Sequence, residues 1–180
     1  MAQKYVALLR GINVGGNNKV EMSKLKKIFE QVGCEDVVTY LNTGNVIFKP
    51  SLDSSNLQSK LETAIEAEFG LSIKVLLKSY AEFARVINAL PAGWANNKEV
   101  KSDVLFLWDE INSPDIMQQL TLREGIDSGL YVDGALLWSV ERTNAAKSAL
   151  VKLPGTKLYK KMTVRNVNTT HKIWELLSVQ

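Results

Sequence analysis

A single cysteine, Cys34, excludes any disulfide within the chain. A single histidine, His171, excludes a multi-histidine metal site. No apolar stretch approaches the roughly 20 residues that a membrane-crossing helix needs. The opening MAQKYVALL has neither a long apolar region nor a small-residue cleavage site, so no signal peptide is expected. Cytoplasm is the expected compartment, without a membrane partner. Acid is also missing locally. Residues 145–172 carry Lys147, Lys152, Lys157, Lys160, Lys161, Arg165 and Lys172 and no Asp or Glu, while residues 1–27 carry six cations against Glu21. The net charge of +3 is mild and does not by itself indicate a nucleic-acid protein. If the two basic ends meet in space they form one basic surface, and if not they are two ordinary solvated faces.

What the chain has is enough apolar residue, 46%, for one core or two small ones. Tyr5–Leu9 (YVALL) reads as a buried strand, and Leu25, Ile28, Phe29 and Val32 recur at helical spacing, with Ser23 as a cap and Gly33 at the end. VVTYL (37–41) and NVIF (45–48) flank a tight NTG turn. Leu57, Leu61, Ala64 and Ile65 make a second helical stripe that Gly70 can stop, and LSIKVLL (71–77) reads as a strand. The order β-α-β-β-α-β is the ferredoxin-like pattern. The expected fold is α+β, with a ferredoxin-like unit over 1–90 and a second small α+β unit over 91–180, separate from the first or interleaved with it. In the second half, VLFLW (104–108) is a strand, Asp133-Gly134 marks a hairpin with a type I′ turn, Ala145–Leu150 is helical, and Asn168 or Thr169 caps a last helix. The helices and strands of this half read as a different order from the first, and no sequence repeat is visible.

Three segments concentrate groups that hold anions. RGINVGGNNK fails the phosphate-loop pattern, because Asn17 rather than Lys follows Gly16, and its glycine spacing fails the dinucleotide pattern. It still offers Gly15 and Gly16 for converging backbone N–H groups and Arg10 and Lys19 for charge, and Asn13 lies between them. In NTGNVIF, Thr43 and Asn45 either brace the turn at Gly44 or face a ligand. In KKMTVRNVNTTHK, Lys161, Arg165, Asn166, Asn168 and Thr169 precede or open a helix. TGNVIFK lacks the exposed aromatics of an RNA-recognition strand. Glu35 and Asp36 disfavour a thiolate at Cys34, no metal-ligand spacing occurs, and Glu21 is the nearest candidate for a general base. Trp94, Trp108, Trp138 and Trp174 are widely spread, as core or interface aromatics are.

At these segments the sequence resembles the bacterial domain-of-unknown-function family numbered 1697. The opening YVALLRGINVGGNNKVEMSKLKKIF, the stretch TYLNTGNVIF and the closing TVRNVNTTHKIWELL carry the likeness, with Thr43 where a serine is common and Val167 where an aromatic is common. The resemblance implies an α+β fold with ferredoxin-like elements and marks Arg10, Asn13, Thr43, Asn45, Arg165, Asn166 and Thr169 as its polar signature. It implies no activity.

The leading functional expectation is a binder of a phosphate-bearing or otherwise anionic small ligand, a nucleotide among them, with no reaction and no cofactor named. Arg10, Lys19 and Arg165 would supply charge, Gly15 and Gly16 close approach, and Asn13, Asn45 and Asn166 orientation. The alternatives are nucleic-acid binding across a joined basic surface, which predicts steep salt dependence, and a protein-interaction module or homodimer.

Overall fold

The computed structural model describes residues 3–50 and 56–179, and the chain divides into two compact units, Met1–Ala81 with Glu175–Gln180, and Glu82–Trp174. The sequence predicts a join between 90 and 91; the units divide between Ala81 and Glu82, and the closing residues group with the first unit.

In the first unit the order is β1 (Tyr5–Leu9), α1 (Met22–Gln31), β2 (Glu35–Tyr40), β3 (Asn45–Lys49), α2 (Leu57–Phe69) and β4 (Val75–Ser79). The sheet runs β2-β3-β1-β4, with every neighbour antiparallel. Central position explains composition: β1 and β3 are almost wholly buried, whereas the edge strand β2 leaves Val38 45% exposed. Leu25, Ile28 and Phe29 of α1 and Leu57, Leu61 and Ile65 of α2 cover the sheet in one apolar core. Phe29 meets Phe48 edge-on at 5.3 Å. Gly70 ends α2 in the left-handed region, with its N–H on the Glu66 carbonyl at 2.8 Å. The expected Ser23 cap is not the observed one. Helix α1 starts at Met22 after Glu21, and the Ser23 hydroxyl donates to the Glu21 carboxylate.

The second unit holds β5 (Val100–Leu107), α4 (Ile116–Gln119), β6 (Asp127–Val132), β7 (Ala135–Glu141) and β8 (Met162–Asn166), with α3 (Tyr80–Ala89) before them and α5 (Val167–Ser178) after. Its sheet runs β6-β7-β5-β8, again antiparallel throughout. With β5 counted as first strand, this is the strand order of the first unit, so the second half repeats the topology rather than differing from it. The repeat is concealed because the place of a second helix is taken by four 3-10 turns, Arg142–Lys147, Ala149–Val151, Leu153–Gly155 and Leu158–Lys161. The helix expected over 145–150 is part of that run. On one face Leu105, Leu107, Trp138, Leu153 and Met162 form the core, and Phe83 of α3 stacks on Phe106 at 5.4 Å.

The hairpin at Asp133-Gly134 is present, but its turn is not type I′: Gly134 has φ +92° and Asp133 has negative φ. Its shape is set by a distant residue. The Asn112 carboxamide donates to the Asp133 carboxylate at 2.9 Å and accepts from the Gly134 N–H at 2.8 Å and the Tyr131 hydroxyl at 3.0 Å.

Candidate functional site

The glycine-rich loop begins where β1 ends. Val14 and Asn17 form a bridge around Gly15-Gly16, and the Asn17 N–H reaches the Val14 carbonyl at 3.1 Å. Gly15 and Gly16 have φ +60° and +80°, and positive φ at both central residues is the mark of a type I′ turn. The two glycines thus make a miniature hairpin, tied at its base by the Asn13 N–H on the Asn18 carbonyl at 3.0 Å.

Asn13 is the clasp of this loop. Its Nδ2 donates to the carbonyls of Val20 (2.9 Å) and Asn42 (2.8 Å), and its Oδ1 accepts from the Val20 N–H (2.9 Å). Asn18 donates from Nδ2 to the Gly11 carbonyl at 2.9 Å. The NTG turn therefore stands at the same end of the sheet as the loop, a proximity that the antiparallel β1–β3 register produces by setting Leu8 opposite Asn45. The Leu9 N–H binds the Gly44 carbonyl at 2.8 Å, and a Cβ on Gly44 would sit 2.7 Å from the Leu9 Cβ. Asn45 is fully buried and donates to the Tyr40 carbonyl at 2.8 Å and to the Thr43 hydroxyl at 3.3 Å. Arg10 is half-buried at the strand end, its backbone N–H on the Lys74 carbonyl at 2.9 Å.

Beside this scaffold lies an open hollow of about 430 Å³ lined by Asn13, Lys19, Val20, Glu21, Lys24 and Phe69. Lys19 is exposed, and Lys24 pairs with Glu68 at 3.3 Å. Of the expected residues, Asn13 and Lys19 reach the hollow, whereas Gly15, Gly16, Thr43 and Asn45 build the loops next to it. Lys24 and Phe69, which also line it, carry no signal in the sequence. Lys24 reads as one more charge on the polar face of α1, and Phe69 arrives from α2 with no local signal.

The other expected residues belong to the second unit, and each has a local task there. Asn166, rather than Asn168 or Thr169, caps α5: its Oδ1 accepts the Thr169 N–H at 2.8 Å, three residues on. The Thr170 hydroxyl donates to the Asn166 carbonyl at 2.9 Å. Asn168 exchanges bonds with the Asn96 backbone, giving at 2.9 Å and accepting at 3.4 Å. Lys161 pairs with Glu110 at 2.9 Å. Arg165 is buried, with Nη1 on the Thr163 hydroxyl (2.9 Å) and the Val164 carbonyl (2.8 Å), and burial pushes its guanidinium down to about 10.

Burial pushes the Cys34 thiol up to about 11, the wrong direction for a nucleophile. Among the described residues no group of three His, Cys, Asp or Glu side chains is placed to hold a metal ion, and no helix is long and apolar enough to cross a membrane.

Two antiparallel four-stranded units with this loop architecture define an α+β protein. The chain belongs to the DUF1697 family of proteins of unknown function, whose model matches residues 2–138. It is similar to a solved structure, a conserved bacterial protein from Streptococcus pneumoniae, at 30% identity and a TM-score of 0.85, over 99% of this chain and 100% of the other. No curated protein matches the chain. The closing segment TVRNVNTTHKIWELL lies beyond the residues that the family model matches.

Proposed function

We propose that the protein binds a small anionic ligand of the phosphate-bearing kind in the hollow at the loop end of the first sheet. One observation carries this reading: Lys19 and Lys24 line a single recess of about 430 Å³ with Phe69 and Val20. That size is in the range of small-molecule sites. The lysines provide charge-assisted donors for phosphate, and the two apolar residues give a surface for the body of the ligand. The recess is preorganised, because the Asn13 clasp, the tied hairpin and the packed Gly44 turn leave its wall little freedom to lose on binding.

In this reading the glycines and asparagines are the frame, and the contact with ligand falls to Lys19 and Lys24. The test is thermal unfolding of the wild type and of Lys19→Ala/Lys24→Ala with inorganic phosphate, nucleotides and a short RNA. A midpoint raised by phosphate or a nucleotide in the wild type, and not in the variant, is the expected result. An equal rise in both proteins, or no rise with any compound, would overturn it. A rise confined to RNA and abolished by salt would replace it with backbone binding of nucleic acid.

A further inference from the structure

We infer that the second unit carries a site of its own, for a compact carboxylate with a short aliphatic tail, in the recess above Trp138. The recess measures about 270 Å³, with Leu120, Trp138 and Leu153 as its apolar part and Arg123, Lys152 and Thr156 among its polar residues. Arg123 and Lys152 are exposed, and no carboxylate lines the recess. Neither cation's side chain has an ion pair or hydrogen bond among the described residues.

The recess follows from the topology. Where the first unit lays α2 across its sheet, the second lays 3-10 turns, and Ala149, Lys152, Leu153 and Thr156 come from that run or its edges. Short 3-10 turns present no continuous apolar stripe, and the recess opens along them, with the buried Leu120, Trp138 and Leu153 showing only their edges to it.

A single carboxylate joins the segments around the recess. The Asp127 carboxylate accepts from the Ser148 hydroxyl (2.5 Å), the backbone N–H groups of Ala149 and Arg123 (3.0 Å each) and the Trp138 indole N–H (3.2 Å). One side chain thereby ties together the segment bearing Arg123, the 3-10 run and the indole. Asp127 does not itself line the recess. Two exposed cations beside the apolar edges of Leu120 and Leu153 select a ligand with an anionic head and a short apolar body. Arginine's fork matches the geometry of a carboxylate in particular.

Hexanoate is the probe. Titration into the intact protein is followed by calorimetry and by the Trp138 indole N–H resonance, with hexylamine and acetate as the charge-reversed and tail-less controls. The expected result is saturable binding of hexanoate that moves the Trp138 resonance, at least about tenfold weaker binding to Arg123→Ala/Lys152→Ala, and no matching response to either control. Both substitutions fall on exposed side chains, and Lys152→Glu alone gives a second, single-site reading of the same loss. Unchanged affinity in these variants, an unmoved Trp138 resonance, or equal binding of hexylamine or acetate would overturn the assignment. Because the first-unit hollow contributes no residue to this recess, Lys19→Ala/Lys24→Ala leaves hexanoate binding intact.

Discussion

The Nδ2 atom of Asn13 lies 2.8 Å from the carbonyl oxygen of Asn42, and this bond joins the glycine-rich loop to the β2–β3 turn. Asn13 also sits at φ +53°, a conformation asparagine tolerates better than most residues. Asn13→Ala should therefore lose three bonds and add backbone strain, about 2–3 kcal/mol together. Asn13→Gly removes the same bonds without the strain and should fall about 1 kcal/mol short of that loss. Urea unfolding of the two variants measures the difference, and equal losses would assign the whole effect to the side chain.

Gly44 and Gly15 both have positive φ but differ in surroundings. A Cβ at Gly44 would stand 2.7 Å from the Leu9 Cβ and 2.8 Å from the Ile12 Cδ1, whereas at Gly15 it would meet nothing within 4 Å. Gly15→Ala should cost only the backbone term, about 1–2 kcal/mol. Gly44→Ala adds overpacking and should cost about 3 kcal/mol or more. Thermal midpoints of the pair would reject this account if Gly15→Ala proved the worse.

Asn166 supplies the cap of α5 through the Thr169 N–H. Asn166→Ala should destabilise by about 1 kcal/mol, and Asn166→Asp, which keeps an acceptor and places negative charge at the helix start, by much less. Chemical denaturation that ranks the aspartate with the alanine variant would show that the carboxamide's other contacts dominate.

Burial pushes the Asp127 carboxyl upward, but four donors outweigh it, from Ser148, Ala149, Arg123 and Trp138, and the net shift is below the ordinary aspartate value. A depressed folded value means that ionised Asp127 stabilises the protein above its unfolded pKa of about 3.9, and that this support is lost as pH falls through the folded value. Asp127→Asn should destabilise at pH 7 by about 1 kcal/mol, with the gap to wild type closing in acid. A gap independent of pH would refute the electrostatic part of the argument.

Asp103 has the opposite sign. Burial raises its carboxyl above the usual range, and Lys101 at 3.6 Å offsets only part of that. A raised folded value makes ionisation harder in the folded state, so stability falls as pH rises from the unfolded value through the folded one. Asp103→Asn should raise the thermal midpoint at pH 7 and leave it unchanged at pH 2. A lower midpoint at pH 7 would show the Lys101 pair to be worth more than the burial costs.

Much of the first unit was readable because its elements are regular. The unbroken apolar runs of β1 and β3 and the stripes of α1 and α2 each match one period. The second unit hid its repeated topology because Leu150, Leu153 and Leu158 sit on consecutive 3-10 turns, which keep no helical period over more than a few residues. Chemistry was harder to read than fold. Asn13, Asn45, Asn166 and Asn168 were singled out as groups that hold ligands, yet a carboxamide serves a backbone carbonyl with the same atoms, and here each does so or caps a helix. Asp127 drew no notice, since its four donors span residues 123–149 and gather only when the chain folds. Turn chemistry is read less well than turn position: Asp-Gly at 133–134 has the familiar spelling, but Asn112 overrides it, while Gly15-Gly16 adopts positive φ at both residues in a loop that Asn13 and Asn18 brace.

The 3-10 run of the second unit has a dynamic corollary. Its backbone bonds are long, 3.2 Å for Ser148 N–H to Ala145 and 3.3 Å for both Gly155 N–H to Lys152 and Lys160 N–H to Lys157. Each closes over three residues, so one turn can open without disturbing the next. The amide protons of 145–160 should thus exchange with solvent well ahead of those in β5 and β7, through openings far smaller than global unfolding. The second half of the molecule then consists of a slow-exchanging sheet under a fast-exchanging cover, and the least protected backbone in it borders the recess above Trp138.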